Sequence, residues 1–424
     1  MINKIEELIK ENRGMIESEW FKEQHRKRKE AFSRVRKLSF PVLIVFIMQK
    51  SVKSLQLRLN EWFEWFGGET VSNSAFTQAR ANLKHTAFIA LNDRNMEIYY
   101  GDGIYERYQG LRVLAIDGSK VRVPKGAEIK EQFGAISYSN QKEEVQGEHN
   151  YSQVSVLYDV LNRIAITAEC GVARAYEVDL AKKHLEYTKK EEDLLLCDRN
   201  YATYDFMTTL IERNLNFVIR CPAKYVIVKE MQRGSGAESR LMKVKNSQNQ
   251  PLNLRFVRVL LSTGEYEILV TSLLDEQLYP TEMFKELYHL RWGIETFYGL
   301  LKTRLELENF TGKTVESVLQ DIYSTLYLTN IESILTAEAT ANLKDKTTSK
   351  NQQKVNHSVS FHALKTEALN LLLSNMPISN VLNKLQKLFL TNPTLDKKKP
   401  TTPRNTKTAR HLLHYHRTQR KHVF

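Results

Sequence analysis

At 424 residues, with 42% hydrophobic and 10% aromatic side chains, the chain has apolar material for a large core and further domains, which excludes general disorder. A formal charge of +13 and a pI near 9.3 point to a polyanionic partner, either nucleic acid or an anionic membrane surface. The start, Met1-Ile-Asn-Lys-Ile-Glu-Glu-Leu8, is charged helix rather than a signal peptide, and the apolar run from Leu38 to Met48 is too short to span a bilayer and holds Pro41, so nucleic acid is favoured over membrane.

Residues 1–105 read as helical. Ile5, Leu8, Ile9, Met15 and Ile16 recur at helical spacing, and the basic cluster His25–Lys29 follows. Leu38–Met48 reads as a buried helix. Gly67-Gly68 breaks the pattern, and Val71–Arg80 reads as a turn entering a helix capped by Ser72 or Ser74. Gln78, Arg80 and Lys84 fit either DNA contacts or the solvated face of a packing helix.

From Leu111 the texture changes. Leu111–Asp117 is an apolar run that ends in an aspartate and a glycine turn, as a buried strand presents a carboxylate at its end. Tyr151–Cys170 alternates as a hairpin that reverses near Asp159–Arg163. Tyr176–Lys190 reads as helix, Leu194–Asp198 as a second apolar strand ending in aspartate, Tyr204–Arg213 as helix and Asn216–Cys221 as strand. Between Pro222 and Tyr279, strands are predicted over Tyr225–Met231, Leu252–Ser262 and Tyr266–Ser272. Their turns fall at Gly234–Gly236, Asn246–Gln250 and Thr263-Gly264.

A run without proline, Thr281 to about Glu308, reads as one helix. At 100° per residue from Tyr288, Arg291 falls near 300°, Glu295 near 340° and Lys302 near 320°, a polar stripe about 60° wide. Leu287, Leu290, Ile294, Phe297 and Leu301 form the adjacent apolar face, and Trp292 flanks the stripe on its other side. Helix continues to about Thr340. Asn342–Ser358 reads as loop, Phe361–Leu373 and Ile378–Leu390 as helices, and Asp396–Phe424, with nine Lys or Arg against one acidic residue, as a flexible basic tail for phosphate backbone. Its histidines, His411, His414, His416 and His422, lack cysteine or carboxylate partners and predict no zinc site. Cys170, Cys197 and Cys221 have no metal-binding spacing and suit a reduced cytoplasmic protein, with Cys197 turned away from the face that carries Asp198.

Tyr288, Arg291, Glu295 and Lys302 stand in the spacing Y-x2-R-x3-E-x6-K. With Asp117 and Asp198 at strand ends upstream, the chain resembles the DDE transposases of bacterial insertion sequences, in the branch with the YREK signature (the insertion-sequence-four family). The segment Ser72–Arg80 extends the resemblance, since these transposases often carry S-x-x-A-F-x-Q-A-R before the catalytic domain.

The order of strand, hairpin, helix, strand and helix is that of a ribonuclease-H-like α/β fold. The expected layout is a helical DNA-binding domain (1–105), a core in two parts (106–221 and 280–340), a β-rich insertion (222–279), C-terminal helices for dimerisation (341–395) and the tail (396–424). The resemblance implies that Asp117, Asp198 and Glu295 are catalytic and hold two Mg2+ ions, with Mn2+ as substitute. Asp117 would bridge the ions while Asp198 and Glu295 complete one each, the clamp used for in-line displacement at phosphorus. Tyr288, Arg291 and Lys302 would grip phosphates, and Trp292 would stack on a base.

The implied reaction is cut-and-paste transposition through a hairpin, on terminal inverted repeats and target DNA, by a homodimer on DNA at the nucleoid. One departure touches the hairpin step. Hairpin-forming relatives often carry a base-stacking Trp in the insertion, whereas the tryptophans here are Trp20, Trp62, Trp65 and Trp292, which leaves Tyr266 or Phe256 as substitutes. A metal-dependent structure-specific nuclease on the same fold and a non-catalytic DNA-binding descendant stay open as alternatives.

Overall fold

The computed structural model describes residues 2–65, 68–139, 145–234, 238–245, 249, 251–261, 264–345 and 352–395. The basic tail, its histidines and much of the predicted turns near Gly67, Ser235, Asn246 and Thr263 lie outside these residues. The chain divides into two compact units. One holds residues 1–104 and 121–151 together with the chain from Leu301 onward, and the other holds residues 105–120 and 152–300.

The second unit is built on a sheet. Its strands are β1 (Arg112–Arg122), β3 (Val145–Asp159), β4 (Ile164–Val172), β5 (Asp193–Cys197), β6 (Asn216–Arg220), β7 (Glu238–Lys245), β8 (Pro251–Leu260) and β9 (Tyr266–Thr271); β2 (Ala135–Ser139) belongs to the first unit. The order across the second unit's sheet is β4-β3-β1-β5-β6-β9-β8-β7. The pairs β1–β5 and β5–β6 are parallel, and β3–β4, β6–β9, β8–β9 and β7–β8 are antiparallel. Parallel strands covered on both faces need apolar side chains throughout, and Val113, Leu114, Ala115, Ile116 and Leu194–Cys197 are all fully buried. The strands of the insertion therefore extend the central sheet through β9 and do not form a separate barrel.

Several expectations change here. Strand β1 runs on through Asp117 and Gly118 to Arg122, and only its pairing with β5 stops at Ile116. Val226–Gln232 is a helix, not a strand. Its β-branched residues are overruled because Ile227, Val228 and Met231 bury together on one helical face while Lys229 and Glu230 stay exposed. The predicted helix from Thr281 is three pieces: Met283–His289, Trp292–Gly299 and a π-helical segment, Leu300–Arg304. A π turn is wider than an α turn, so Lys302 departs from the 100° count that put it on the stripe.

The first unit is largely helical. The helix Val315–Asp345, which starts well after Thr281 and ends five residues past the predicted Thr340 (345 minus 340), packs against Thr86–Gly101, Phe40–Met48 and Ile378–Thr391. The predicted loop 342–358 contains the end of that helix, a short strand (Gln353–Val355) and the start of the next helix at His357. Ser72, not Ser74, caps Asn73–Arg80, accepting from the Ala75 amide. Arg80 is 4% exposed and pairs with the buried Asp321 at 2.8 Å, with further bonds to Gln320 and Thr311, so it is a core residue and not a DNA contact.

Candidate active site

Asp117 and Asp198 leave the β1–β5 ladder together. The last registered pair is Ile116 with Cys197, and the next residue on each strand is an aspartate. Side chains alternate along a strand, so fully buried Ile116 and Cys197 face one side and the two carboxylates the other. Asp198 opens the short 3-10 turn Arg199–Tyr201, yet its side chain makes no capping hydrogen bond. The carboxylate is therefore not taken up by local structure, as a strand-end aspartate usually is.

Asp117 is half-buried. Its Oδ1 accepts a 2.9 Å bond from the Gly118 amide, and burial raises the carboxyl to about 6, with Glu177 and Glu295 adding to the rise and Arg291 opposing it. The Tyr298 hydroxyl lies 2.9 Å from the Asp117 carbonyl and 2.9 Å from that of Val154, a bifurcated bond that ties the Glu295 helix to β1 and β3. Phe297 stacks on Tyr158 at 4.5 Å between centroids. Gly293 comes so close to Val160 that an added Cβ would meet its side chain at 3.4 Å. These contacts fix the helix carrying Glu295 against the sheet.

Glu295 Oε1 accepts a 2.8 Å bond from Arg291, which is 6% exposed. Burial opposes the Arg291 charge, but Tyr288, Glu295 and Asp198 outweigh it and its pKa is raised. The guanidinium also lies over the Tyr288 and Trp292 rings, at 5.6 Å and 5.2 Å, and its Nε is buried with no hydrogen-bonding partner. A buried orphan donor on a cation marks a place for an anionic oxygen.

The expected phosphate-gripping set is only partly gathered. Tyr288 is buried, its hydroxyl donates to the Cys197 carbonyl at 3.2 Å, and burial pushes its pKa well up. It holds the helix to the end of β5. Trp292 is 40% exposed, open to a stacking partner. Lys302 lies in the π segment within the first unit.

Glu177 escaped the sequence reading. It opens the helix Glu177–His184, where an acidic residue looks like any dipole-favoured first-turn acid. In the fold its Oε1 accepts from Gln153 (3.1 Å), its Oε2 accepts from Asn200 (3.3 Å), and its charge reaches Asp117. The backbone at Gly118 makes room for this, because a Cβ there would sit 2.5 Å from the Gln153 amide nitrogen.

Among the described residues, no three His, Cys, Asp or Glu side chains form a ready metal cage. The donor chemistry still fits a hard divalent cation: the candidates are all carboxylate oxygens, and the buried Asp117 carboxyl gains from an added positive charge. Glu295, now turned to Arg291, would have to share or leave that pair.

No helix among the described residues is long and apolar enough to cross a membrane. Residues 108–331, more than half of the chain, match the model of the transposase DDE domain. The chain is similar to the transposase InsG of insertion sequence element IS4 from Escherichia coli K12, 24% identical over 277 residues that cover 62% of this chain and 60% of InsG. It thus spans under two thirds of that relative's length. InsZ of the same strain is 26% identical over 229 residues, 51% of this chain and 72% of InsZ. Among solved structures, the piggyBac transposase in its synaptic complex with hairpin DNA aligns with 94% of this chain and 88% of its own, at a TM-score of 0.48 and 10% identity. With the matched segment running from before Asp117 to beyond Glu295, the chain belongs to the transposase DDE-domain family.

Proposed function

We propose that the protein is a DNA transposase of an insertion sequence, which hydrolyses phosphodiesters at the element's ends and joins the freed 3′-hydroxyls to target DNA. The observation that carries this reading is the side-by-side exit of Asp117 and Asp198 from adjacent parallel strands, with Arg291 linking their charges to Glu295. Family membership makes divalent-metal use the general expectation. Asp117, Asp198 and Glu295 are the residues to hold Mg2+, or Mn2+ in its place. The bound cations supply Lewis-acid stabilisation of the oxygens at phosphorus and an activated water or 3′-hydroxyl.

The chain's own groups do the positioning. Arg291 offers its unpartnered Nε and its fork to a phosphate oxygen of the cut strand. Tyr288 keeps that helix in register with the end of β5, and Trp292 presents an exposed ring to a base. In hydrolysis, water oxygen bonds to phosphorus as the bond to the leaving 3′-oxygen breaks, and that oxygen takes a proton; in joining, the 3′-hydroxyl replaces water and a target 3′-oxygen leaves. We assign residues 106–221 and 280–340 to a ribonuclease-H-like core, on the strand order β4-β3-β1-β5-β6, and residues 222–279 to its insertion. We assign DNA binding to residues 1–105, partner contacts of a dimer to 341–395 and backbone contacts to the tail.

The test uses a plasmid carrying the gene's own flanking DNA, with Mg2+ or Mn2+, beside an Asp198→Ala control. The expected result is breaks at two fixed ends, 3′-hydroxyls joined to new DNA, and a silent variant. Hairpin-capped ends support the hairpin route. Breaks without joining would replace the reading by a nuclease, and DNA binding without metal-dependent breaks would leave a DNA-binding descendant.

A further inference from the structure

A cavity of about 470 Å3 lies within the first unit, and none of the residues assigned to catalysis lines it. Arg304, Lys53, Lys365, His357 and His362 line it together with one acidic residue, Glu306; Lys53 is paired with Glu61 at 2.7 Å and His357 with Glu332 at 3.0 Å, so the cations of interest are Arg304 and Lys365. Two of its cations are held toward the cavity by neutral oxygens. Arg304 donates to the Ser358 hydroxyl at 2.8 Å, and Lys365 donates to the Lys50 carbonyl at 2.6 Å. Their positive charge is fixed in place without being cancelled by those partners.

Burial lowers the pKa of Lys365 to about 8, and Arg58 adds a smaller repulsion. A second, independent sign is Asn309. It also lines the cavity, is 7% exposed, and its amide Oδ1 is buried without a partner. An acceptor placed so calls for a donor, and with the amide turned its NH2 group would point there instead and could donate to an anion.

We propose that this cavity is a phosphate-binding subsite for the DNA backbone, separate from the site of strand cleavage. An anion is the ligand that relieves Lys365 and Arg304 together, and Asn309 can turn its amide to donate as well. A backbone phosphate is the anion that a protein of this charge meets at highest local density, so the inference rests on the proposed function. Arg304 closes the π segment that begins at Leu300, the segment that also carries Lys302, although Lys302 does not line the cavity.

The test measures anisotropy of a labelled duplex bearing the element's end, across a salt series, with full-length wild type, Arg304→Gln and Arg304→Lys. In parallel, mass spectrometry follows acylation of Lys365 near pH 8, with the duplex present or absent. Arg304→Gln should lower the slope of log affinity against log salt by about one, Arg304→Lys should restore it, and duplex should shield Lys365. A wild type that binds duplex with an unchanged slope in Arg304→Gln and an unshielded Lys365 overturns the subsite and leaves the transposase reading intact. Shielding by inorganic phosphate at matched ionic strength, with none by duplex, assigns the cavity to free phosphate and also overturns it. A duplex-dependent slope change in a protein that never cuts the plasmid upholds the subsite while the transposase reading fails.

Discussion

Asp117, Asp159, Asp193 and Asp198 all sit on or beside strands of one sheet, and their surroundings sort them by role. Asp193 is fully buried, and Arg112 donates to both of its oxygens at 2.7 Å. Asp159 accepts from the Leu161 and Asn162 amides in the hairpin turn. Both carboxylates are consumed by structure. Replacing Asp193 with Ala strands the Arg112 charge in the core, and the urea midpoint should show a loss of about 3 to 5 kcal/mol. Asp117 behaves in the opposite sense. Its folded pKa, about 6, lies above the usual carboxylate value, so between roughly pH 4 and 6 the folded state binds more protons than the unfolded one. Stability therefore falls as pH rises through that window and stays lower above it. Asp117→Asn should be more stable than wild type at pH 8, by on the order of 2 kcal/mol, with the gain vanishing near pH 4. Millimolar Mg2+ should raise the melting temperature of wild type at pH 8 and leave the variant unmoved. A variant no more stable than wild type at pH 8 would show that Asp117 carries no such burial cost.

At the scale of elements, the candidate site depends on contacts that contribute no chemistry, from Tyr288 on the helix Met283–His289 and from Gly118 on β1. Tyr288→Phe leaves the Cys197 carbonyl buried without its donor, and chemical denaturation should register a loss of about 1 kcal/mol together with reduced strand cleavage. Gly118→Ala forces the Gln153 amide away from Glu177; the protein should fold, lose about 1 kcal/mol, and cleave more slowly. Cleavage at the wild-type rate in both variants would show that neither contact positions the site.

The legible parts of the fold were those where one physical demand dominates. Buried parallel strands must be apolar from end to end, so β1 and β5 announced themselves and delivered Asp117 and Asp198. The strand β7 did not. Glu-Ser-Arg-Leu-Met-Lys-Val-Lys is an edge strand with much of its surface in water, and its charges, which discourage pairing with other chains, hide it from a search for alternation. The Leu290-Arg291 break and the π segment were equally hidden, because the neighbouring Gly293 and Gly299 are single glycines of a kind that a helix can carry unbroken. Glu177 was invisible for a third reason: its proximity to Asp117 is set by sheet geometry, not by spacing along the chain.

At the scale of the whole molecule, each compact unit is stitched from separated stretches of sequence. The buried pair Arg80 and Asp321 belongs to one unit although its members stand 241 positions apart in the sequence. Asp321→Ala should cost about 3 to 5 kcal/mol in urea unfolding, because Arg80 is then a buried charge alone. The second unit has the same property, which bears on the proposed cleavage of DNA. Asp117 leaves the ribosome 178 residues before Glu295 (295 minus 117), which at elongation rates of about 5–20 residues per second is on the order of ten to forty seconds. During that interval a nascent chain holds an incomplete carboxylate set, and any product interrupted before Glu295 stays incomplete for good. On the proposed function, discontinuity of the fold means that only a chain translated past Glu295 carries the full carboxylate set needed to cut DNA.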